Sequence, residues 1–373
     1  MLDVIMVADI GSSGSKIFVE IQNQTRNQKT QLLLMEPHVI SVSRERLELY
    51  EKEKSGHPSP EDSAWVEVNG QCWAVGHLAM NEFGANSGEK ELKYERAIPK
   101  ILAAVGAVAE REGLPSHITL RLGVLLPRGQ FQNREALEEA LPQALSSFRF
   151  RLQDCSVELE RFECKPEGGG LLLIRRRMLG ETFAQKDIVM IVIGYFHASY
   201  LETSRGVING GTSEHGFIRL VEKVEAHTSG YERAKLIPAI YKAGANVSQS
   251  VLKPLAPSLD ASFRRLEGTQ LVKAVKAARK DSWAALVSWL RNNVSLDTED
   301  VGLTGGTADY WRPDLEGLFP YARIDWYEEI EKQAAAVPCN REPRPFLKYR
   351  TTDAYGYFLY LVNIPCRTVS RSA

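Results

Sequence analysis

Asp9, Ile10, Gly11, Ser12, Ser13, Gly14, Ser15 and Lys16 lie between two apolar runs, Val4–Ala8 and Ile17–Val19. An acidic residue leaves the first run, small residues turn the chain, and a lysine opens the second. Backbone N–H groups exposed in such a turn can hold phosphate oxygens, and a lysine adds a point charge for them. Asp9 suits a hydrated magnesium ion, which keeps several waters and needs few carboxylates. The Walker phosphate loop is excluded, because it requires a Gly-Lys-Ser/Thr ending that opens a helix. The same residues also make an ordinary hairpin turn, with Asp9 capping it and Lys16 solvated. This segment alone leaves both readings open.

Further positions carry the same kind of chemistry. Gly194 closes the apolar run Ile188–Ile193, and Gly210-Gly211-Thr212-Ser213-Glu214-His215-Gly216 follows it. Gly305-Gly306-Thr307-Ala308-Asp309 closes a third apolar run, Asp300–Thr304. These read as three glycine-rich turns at wide spacing. Glu167, in Lys165-Pro166-Glu167-Gly168, is a candidate for polarising an attacking water, against the plainer reading of an exposed loop glutamate. His197 is a candidate neighbour of a transferred phosphate, against the commoner fate of a structural histidine. Asp309 reads as a helix N-terminal residue favoured by the helix dipole.

The elements that must position these residues follow from pattern. Residues 3–22 read as a β-hairpin. Residues 31–80 mix short strands with a mobile polar loop, Glu51–Asp62. Residues 94–112 carry helical spacing, with Pro99 expected to start or kink the helix. Ile118–Leu126 and Val157–Cys164 read as strands, and Arg134–Phe148 as a helix interrupted at Pro142. Ile188–Gly194 is continuously apolar, as in the middle of a covered sheet. Ala198–Leu201 and Gly206–Asn209 continue as a second strand and turn. Gly216–Thr228, Gln270–Asn292 and Asp353–Val362 read as helices. Lys273, Lys276, Arg279 and Lys280 read as a solvated face of the second of these. Trp283, Trp289, Trp311 and Trp326 mark either core or contacts between copies.

Composition narrows the class. A chain of 373 residues with 44% apolar and 25% charged residues is long enough for two domains and a sizeable core. A net charge of −1 supplies no global field for nucleic acid or anionic membrane. Five scattered cysteines, without metal-site spacing, fit a reduced cytoplasmic setting. The N-terminus lacks a basic n-region, and no apolar run approaches a membrane span.

Taken together, the first turn, Gly194 with Gly211–Gly216, and Gly305–Asp309 resemble the two phosphate loops and the adenosine motif of the actin/Hsp70/hexokinase ATPase superfamily. Within it the chain most resembles the bacterial actin-like ParM/StbA proteins that segregate plasmids. Leu125-Leu126-Pro127-Arg128-Gly129-Gln130-Phe131 resembles the turn after that family's central strand. Lys165-Pro166-Glu167 falls where the family places its Pro-Glu pair, and Asp353-Ala354-Tyr355-Gly356-Tyr357 resembles the start of its last helix. One departure stands out: Val192 occupies the place of the second loop's aspartate, and Tyr195 and Phe196 replace glycine or threonine.

The resemblance implies an α/β, actin-like (ribonuclease H-like) duplicated two-domain ATPase fold with a nucleotide cleft between domains. Domain I would be 1–180, with 30–80 as a small subdomain and a C-terminal helix at about 350–373 packing back on it. Domain II would be 181–349, with about 220–295 as its small subdomain. The implied cofactors are ATP or ADP, with GTP as an alternative, and magnesium held by Asp9 through water. Gly11, Ser12, Ser13, Gly14, Ser15, Lys16, Gly194, Gly211, Thr212, Ser213, Gly216, Gly305, Gly306 and Thr307 would contact the nucleotide. Glu167, Asp9 and His197 would serve hydrolysis, slowed by Val192. The implied function is a bacterial cytoplasmic filament that segregates plasmid DNA. Its partners would be copies of itself and a DNA-binding adaptor, with no direct nucleic-acid or membrane contact. The alternatives are a nucleotide-binding scaffold with little hydrolysis, and a small-molecule kinase of the same superfamily.

Overall fold

The computed structural model describes residues 2–22, 29–86, 96–341 and 347–365. Its contacts divide the chain into two units. Unit 1 comprises Met1–Leu179, Glu329–Pro345 and Thr351–Ala373, and unit 2 comprises Gly180–Glu328 and Phe346–Arg350.

Unit 1 contains β1 (Val4–Gly11), β2 (Gly14–Ile21), β3 (Lys29–Met35), β4 (Val39–Ser41), β5 (Trp65–Val68), β6 (Gln71–Val75), β7 (His117–Leu126), β8 (Phe148–Phe150) and β9 (Gln153–Pro166). They form one sheet in the order β3-β2-β1-β7-β9-β8-β5-β6-β4. Unit 2 contains β10 (Ile188–Ile193), β11 (Ala198–Ser204), β12 (Val207–Ser213), β13 (Asp300–Thr304) and β14 (Arg323–Asp325), in the order β12-β11-β10-β13-β14.

The first five strands of that order in unit 1 repeat the topology of unit 2. A central strand pairs antiparallel with its successor in each, β1 with β2 and β10 with β11. It pairs parallel with a strand reached by crossover, β7 or β13. A further parallel strand follows, β9 or β14. The central parallel strands β1, β7, β10 and β13 are buried along most of their length, as in a sheet covered on both faces, and β13 is buried at every position.

Each unit closes its own core. In unit 1 the helix Ala97–Glu112 is buried on every side from Pro99 to Val108. Pro99 sits in its first turn, where a missing N–H is tolerated; the expected positions 94 and 95 lie outside the described residues. The last helix, Thr352–Val362, packs so closely on β7 that a Cβ at Gly123 would come 2.7 Å from Leu361 and Tyr357. Arg121 on β7 is buried and donates to the Leu361 and Ile364 carbonyls at 2.9 and 2.6 Å. It thereby satisfies acceptors that a helix end leaves open. The positions of the expected C-terminal helix beyond 365 lie outside the described residues. Glu329–Pro345 returns to unit 1 because it lines the free edge of β3. Leu32 N–H donates to the Pro338 carbonyl at 2.8 Å, and the Asn340 amide pairs with both backbone groups of Leu34.

Several local expectations change. Glu51 belongs to the helix Arg44–Glu53, not to a mobile loop. Its carboxylate is held by Arg151, Lys54 and the Trp65 indole, which hold its pKa at about 2 despite burial. The helix Arg134–Ser146 tolerates Pro142 and ends before β8. The long helix of unit 2 runs from Ala261 to Asn293, nine residues earlier than its apolar pattern begins, because Asp260 caps it by accepting the Ser262 and Phe263 N–H groups. Arg279 on this helix is not solvated: it pairs with Asp314 at 2.5 Å and lies 4.4 Å from the Trp311 ring. Trp311 and Trp326 are buried core residues, which removes them from any surface between copies.

Candidate nucleotide-binding site

In unit 1 the β1–β2 register places Asp9 directly opposite Lys16 and Gly11 opposite Gly14, leaving Ser12 and Ser13 as a two-residue turn. Opposed residues of an antiparallel pair share a face. The Lys16 ammonium accordingly donates to Asp9 Oδ2 at 2.6 Å, with both side chains largely buried. Gly14 has φ 136°, a conformation side chains rarely adopt. A Cβ at Gly11 would stand 2.7 Å from the Gly14 carbonyl and 3.0 Å from Lys16 Nζ, so the ammonium lies against bare backbone. Ser15 faces the other side, where its hydroxyl is buried with no hydrogen-bond partner among the described residues.

Glu167 follows the end of β9 and donates its N–H to the Leu126 carbonyl at the end of β7, at 2.8 Å. The next helix, Gly169–Leu179, is capped from a distance. Asp353 accepts the Gly168 N–H at 2.7 Å and the Leu171 N–H at 3.1 Å. Burial pushes the Asp353 carboxyl up to about 7 against those two bonds, and the nearby negative charges of Asp9 and Glu167 push the same way. The Asp9, Glu167 and Asp353 side chains therefore lie within electrostatic reach of one another. A carboxylate such as Asp9, at a strand end, is the kind of group that holds a hard divalent cation through the ion's own waters. Sequence pattern singled out Asp353 as the start of a helix. Its role as the cap of another helix, 182 or more residues away in the chain, has no local signature.

In unit 2 the corresponding hairpin differs. Ile193 pairs with Ala198, leaving a four-residue turn from Gly194 to His197. Val192 stands two residues before its glycine, as Asp9 stands before Gly11, so this hairpin carries no carboxylate at that position. The turn packs its carbonyls onto the start of the helix Phe217–Ala226. Gly216, Phe217 and Ile218 donate to the carbonyls of Phe196, Gly194 and Tyr195 at 3.0, 3.3 and 2.9 Å. A Cβ at Gly216 would overlap the Tyr195 and Phe196 backbone. A helix N-terminus binds anions through just such N–H groups, and here protein carbonyls occupy them. Gly194 N–H is likewise spent on the His197 carbonyl at 2.8 Å. The His197 ring lies 5.9 Å from that of Phe196.

Gly210–Ser213 is not a glycine-rich turn. It is the second half of β12, with Gly211 opposite Tyr200 and Ser213 opposite Ala198. The Thr212 hydroxyl meets Ser199 at 3.1 Å, and a Cβ at Gly211 would stand 2.8 Å from the Tyr200 ring. Pairing with β11 overrides the turn preference of the two glycines.

The third motif is a true turn. Gly305 has φ 105°, and a Cβ there would overlap the Ile193 carbonyl. Thr307 donates its hydroxyl to the Gly194 carbonyl at 2.7 Å, joining this turn to the hairpin tip. Gly306 faces Arg350, whose Nε would be 2.6 Å from a Cβ there. Arg350 is half-buried, burial lowers its pKa, and Tyr241 and Tyr195 oppose that shift. No carboxylate of the described residues lies within ion-pair distance of Arg350. Asp309 acts through its side chain, accepting from the Tyr241 hydroxyl at 2.8 Å and pairing with Lys348 at 3.3 Å. Burial and Asp309 together push the Tyr241 phenol beyond its usual range. The sequence reading missed Arg350; the run Lys348-Tyr349-Arg350 is its only local signal.

No protein-family profile matches the sequence, and no curated protein matches it. Solved structures do. The chain is similar to the ParM of a 15-stranded filament from Clostridium botulinum, with 11% identity, 98% of this chain and 100% of that one covered, and a TM-score of 0.58. It is similar to the actin-like protein Alp7A at 14% identity, with 96% of each chain covered and a TM-score of 0.57. It is also similar to Ta0583, an archaeal actin homologue solved with ADP, at 13% identity, covering 97% of this chain and 100% of that one with a TM-score of 0.56. The chain has the actin-like fold.

Proposed function

We propose that this chain binds a nucleoside triphosphate with magnesium and assembles into filaments. The observation that carries the reading is the buried Asp9–Lys16 pair against the bare Gly11–Gly14 turn, within electrostatic reach of Asp353 and Glu167, in a fold shared with filament proteins. One protein of that fold was solved with ADP. Lys16 and the backbone from Gly11 to Ser15 take the phosphates, and Asp9 holds magnesium through its waters. The ion, when bound, neutralises phosphate charge. Glu167 orients the attacking water, with His197 as a further candidate. Gly305, Gly306 and Thr307 take the nucleoside, and Arg350 joins them as a cation that can stack on a base or meet a phosphate. Gly194, Gly211, Thr212, Ser213 and Gly216 act indirectly, by shaping the unit 2 hairpin and the helix it seals.

In this reading nucleotide binding favours an assembling conformation and hydrolysis loosens it, a population shift driven by the ligand. The nucleotide is ATP, with GTP as the alternative, and the setting is the bacterial cytoplasm. Plasmid segregation through a DNA-binding adaptor is the cellular role the fold relatives suggest. No helix of the described residues is long and apolar enough to cross a membrane.

A second reading has its own support. Val192 and the carbonyl-sealed start of the helix Phe217–Ala226 favour a scaffold that binds nucleotide and turns it over slowly. Calorimetric titration of ATP and GTP, with and without magnesium, combined with phosphate release, separates the readings. Magnesium-dependent binding with release supports the first, and binding without release supports the second. No binding of either nucleotide contradicts both.

A further inference from the structure

A cavity of about 310 Å³ lies within unit 2, between the helix Phe217–Ala226 and the long helix Ala261–Asn293. Phe217, Leu220, Ala285 and Trp311 make its apolar wall, and Phe217, Leu220 and Trp311 are buried. Trp311 is fixed in place. Its ring lies 5.2 Å from that of Trp283 and 4.4 Å from the Arg279 guanidinium, which Asp314 holds. The volume falls at the lower end of the range for small-molecule sites and is roughly ten times a single water's share of the liquid. None of Gly305, Gly306, Thr307 and Arg350 is among the lining residues.

The polar groups of the lining are few and unevenly satisfied. The Ser282 hydroxyl is buried and has no hydrogen-bond partner among the described residues. A helical serine or threonine can return its hydroxyl to the carbonyl four residues back, as Thr269 of the same helix does to Arg265 at 2.8 Å. Ser282 does not, and a buried hydroxyl left open on a cavity wall points to a missing partner. Lys223, half-buried on the facing helix, has no carboxylate within ion-pair distance among the described residues. The one carboxylate of the lining, Glu214, is paired with Arg219, which also holds Glu222 at 2.9 Å. Burial and the Lys223 charge hold His215 toward its neutral form. The lining therefore joins an aromatic, apolar wall to one unmatched ammonium and one unmatched hydroxyl.

We propose that this cavity binds a small aromatic carboxylate, at a site apart from the nucleotide: the carboxylate meets the Lys223 ammonium and the Ser282 hydroxyl, and the ring lies against Trp311, Phe217 and Leu220. A mostly apolar lining with a few convergent polar groups is the make-up of small-molecule sites. Aromatic pairs add attraction beyond the area they bury, and an ammonium bonds a carboxylate more strongly than it bonds a neutral acceptor. The ligand ties the helix Phe217–Ala226 to the long helix, so it stabilises unit 2 by mass action.

The test is calorimetric titration of the full chain with benzoate, phenylacetate and indole-3-acetate, each beside its neutral amide, with and without magnesium ATP. At least one acid binds at one site per chain, and its amide binds about tenfold or more weakly. Lys223→Met weakens the acid by about tenfold or more, and Ser282→Ala by about fivefold. Ala285→Phe fills the cavity and abolishes binding. Circular dichroism establishes that each variant folds, and the Lys223 and Ser282 variants carry the test should Ala285→Phe fail to do so. ATP leaves the acid's affinity unchanged. No binding by any of the acids in the millimolar range overturns the site and leaves the cavity to water. Equal affinity for acid and amide overturns it too, as does full affinity in Lys223→Met. Displacement of the acid by ATP places it in the nucleotide site and likewise overturns the proposal. A chain that binds the acid but neither ATP nor GTP supports this site and overturns the nucleotide reading alone.

Discussion

Replacing Asp353 with asparagine tests whether this buried carboxyl, which caps the helix Gly169–Leu179, holds its proton in the folded chain. In the folded chain Asp353 titrates at about 7, against 3.8 for an ordinary aspartate, with burial as the main cause and Asp9 and Glu167 adding to it. A raised carboxyl pKa means that the native state holds a proton the unfolded state has lost. The stabilisation is fully present below 3.8 and disappears as pH rises through about 7. From pH 5 upward about two units remain to be traversed, which is about 3 kcal/mol at ~1.4 kcal/mol per unit. For a unit of this size that corresponds to roughly 6–12 °C in Tm. Asparagine has no proton to lose. Its amide oxygen can keep one of the two bonds to Gly168 and Leu171, and the lost bond costs about 1–3 kcal/mol at any pH. Melting of wild type and Asp353→Asn is compared at pH 5 and pH 8, without nucleotide and in chelator, so that no metal at Asp9 alters the charge. The wild-type advantage at pH 5 shrinks or reverses at pH 8. The same difference at both values refutes the raised pKa of the buried Asp353 carboxyl.

Other perturbations probe the remaining parts of the site. Asp9→Ala leaves the largely buried Lys16 ammonium without its 2.6 Å partner and removes the magnesium anchor; nucleotide-dependent assembly falls further than with any substitution at Val192, and equal light scattering for Asp9→Ala and wild type contradicts this. Glu167→Gln lowers phosphate release by about a hundredfold or more while calorimetric nucleotide affinity is kept, within the usual range for an acid–base group. Arg350→Ala weakens nucleotide binding without changing the melting of unit 1; unchanged affinity removes Arg350 from the site. Gly170→Ala forces a methyl into the Asp353 carbonyl oxygen, where the last helix crosses, and costs about 1–3 kcal/mol or more in chemical denaturation.

What was legible in the sequence was local. The turn from Asp9 to Lys16 could be read because an antiparallel hairpin brings together residues seven apart in the chain. The continuously apolar β10 announced a covered strand in the middle of its sheet. Glycine content misled at Gly210 and Gly211, since strand pairing with β11 outweighs their turn preference. The helix from Ala261 was read as starting late because its first turns bury nothing: Phe263 and Leu266, the large apolar residues there, are exposed among arginines. Arg350 and the capping role of Asp353 were hidden for another reason. Each acts on backbone brought near by the fold, at Gly306 and at Gly168, and no spacing rule encodes such contacts. The sealing of the Phe217–Ala226 helix by the unit 2 hairpin was half visible. Tyr195, Phe196 and Val192 showed that the turn departs from a phosphate loop, but not which groups would take the vacated N–H bonds.

The central claim is that a magnesium nucleotide drives assembly of this chain. Electron micrographs of the purified protein with magnesium and ATP, with ADP, and without nucleotide test it most directly. Filaments with ATP, and few or none in the other two conditions, are the predicted result. Monomers at high concentration in ATP, GTP and their non-hydrolysable analogues would contradict it.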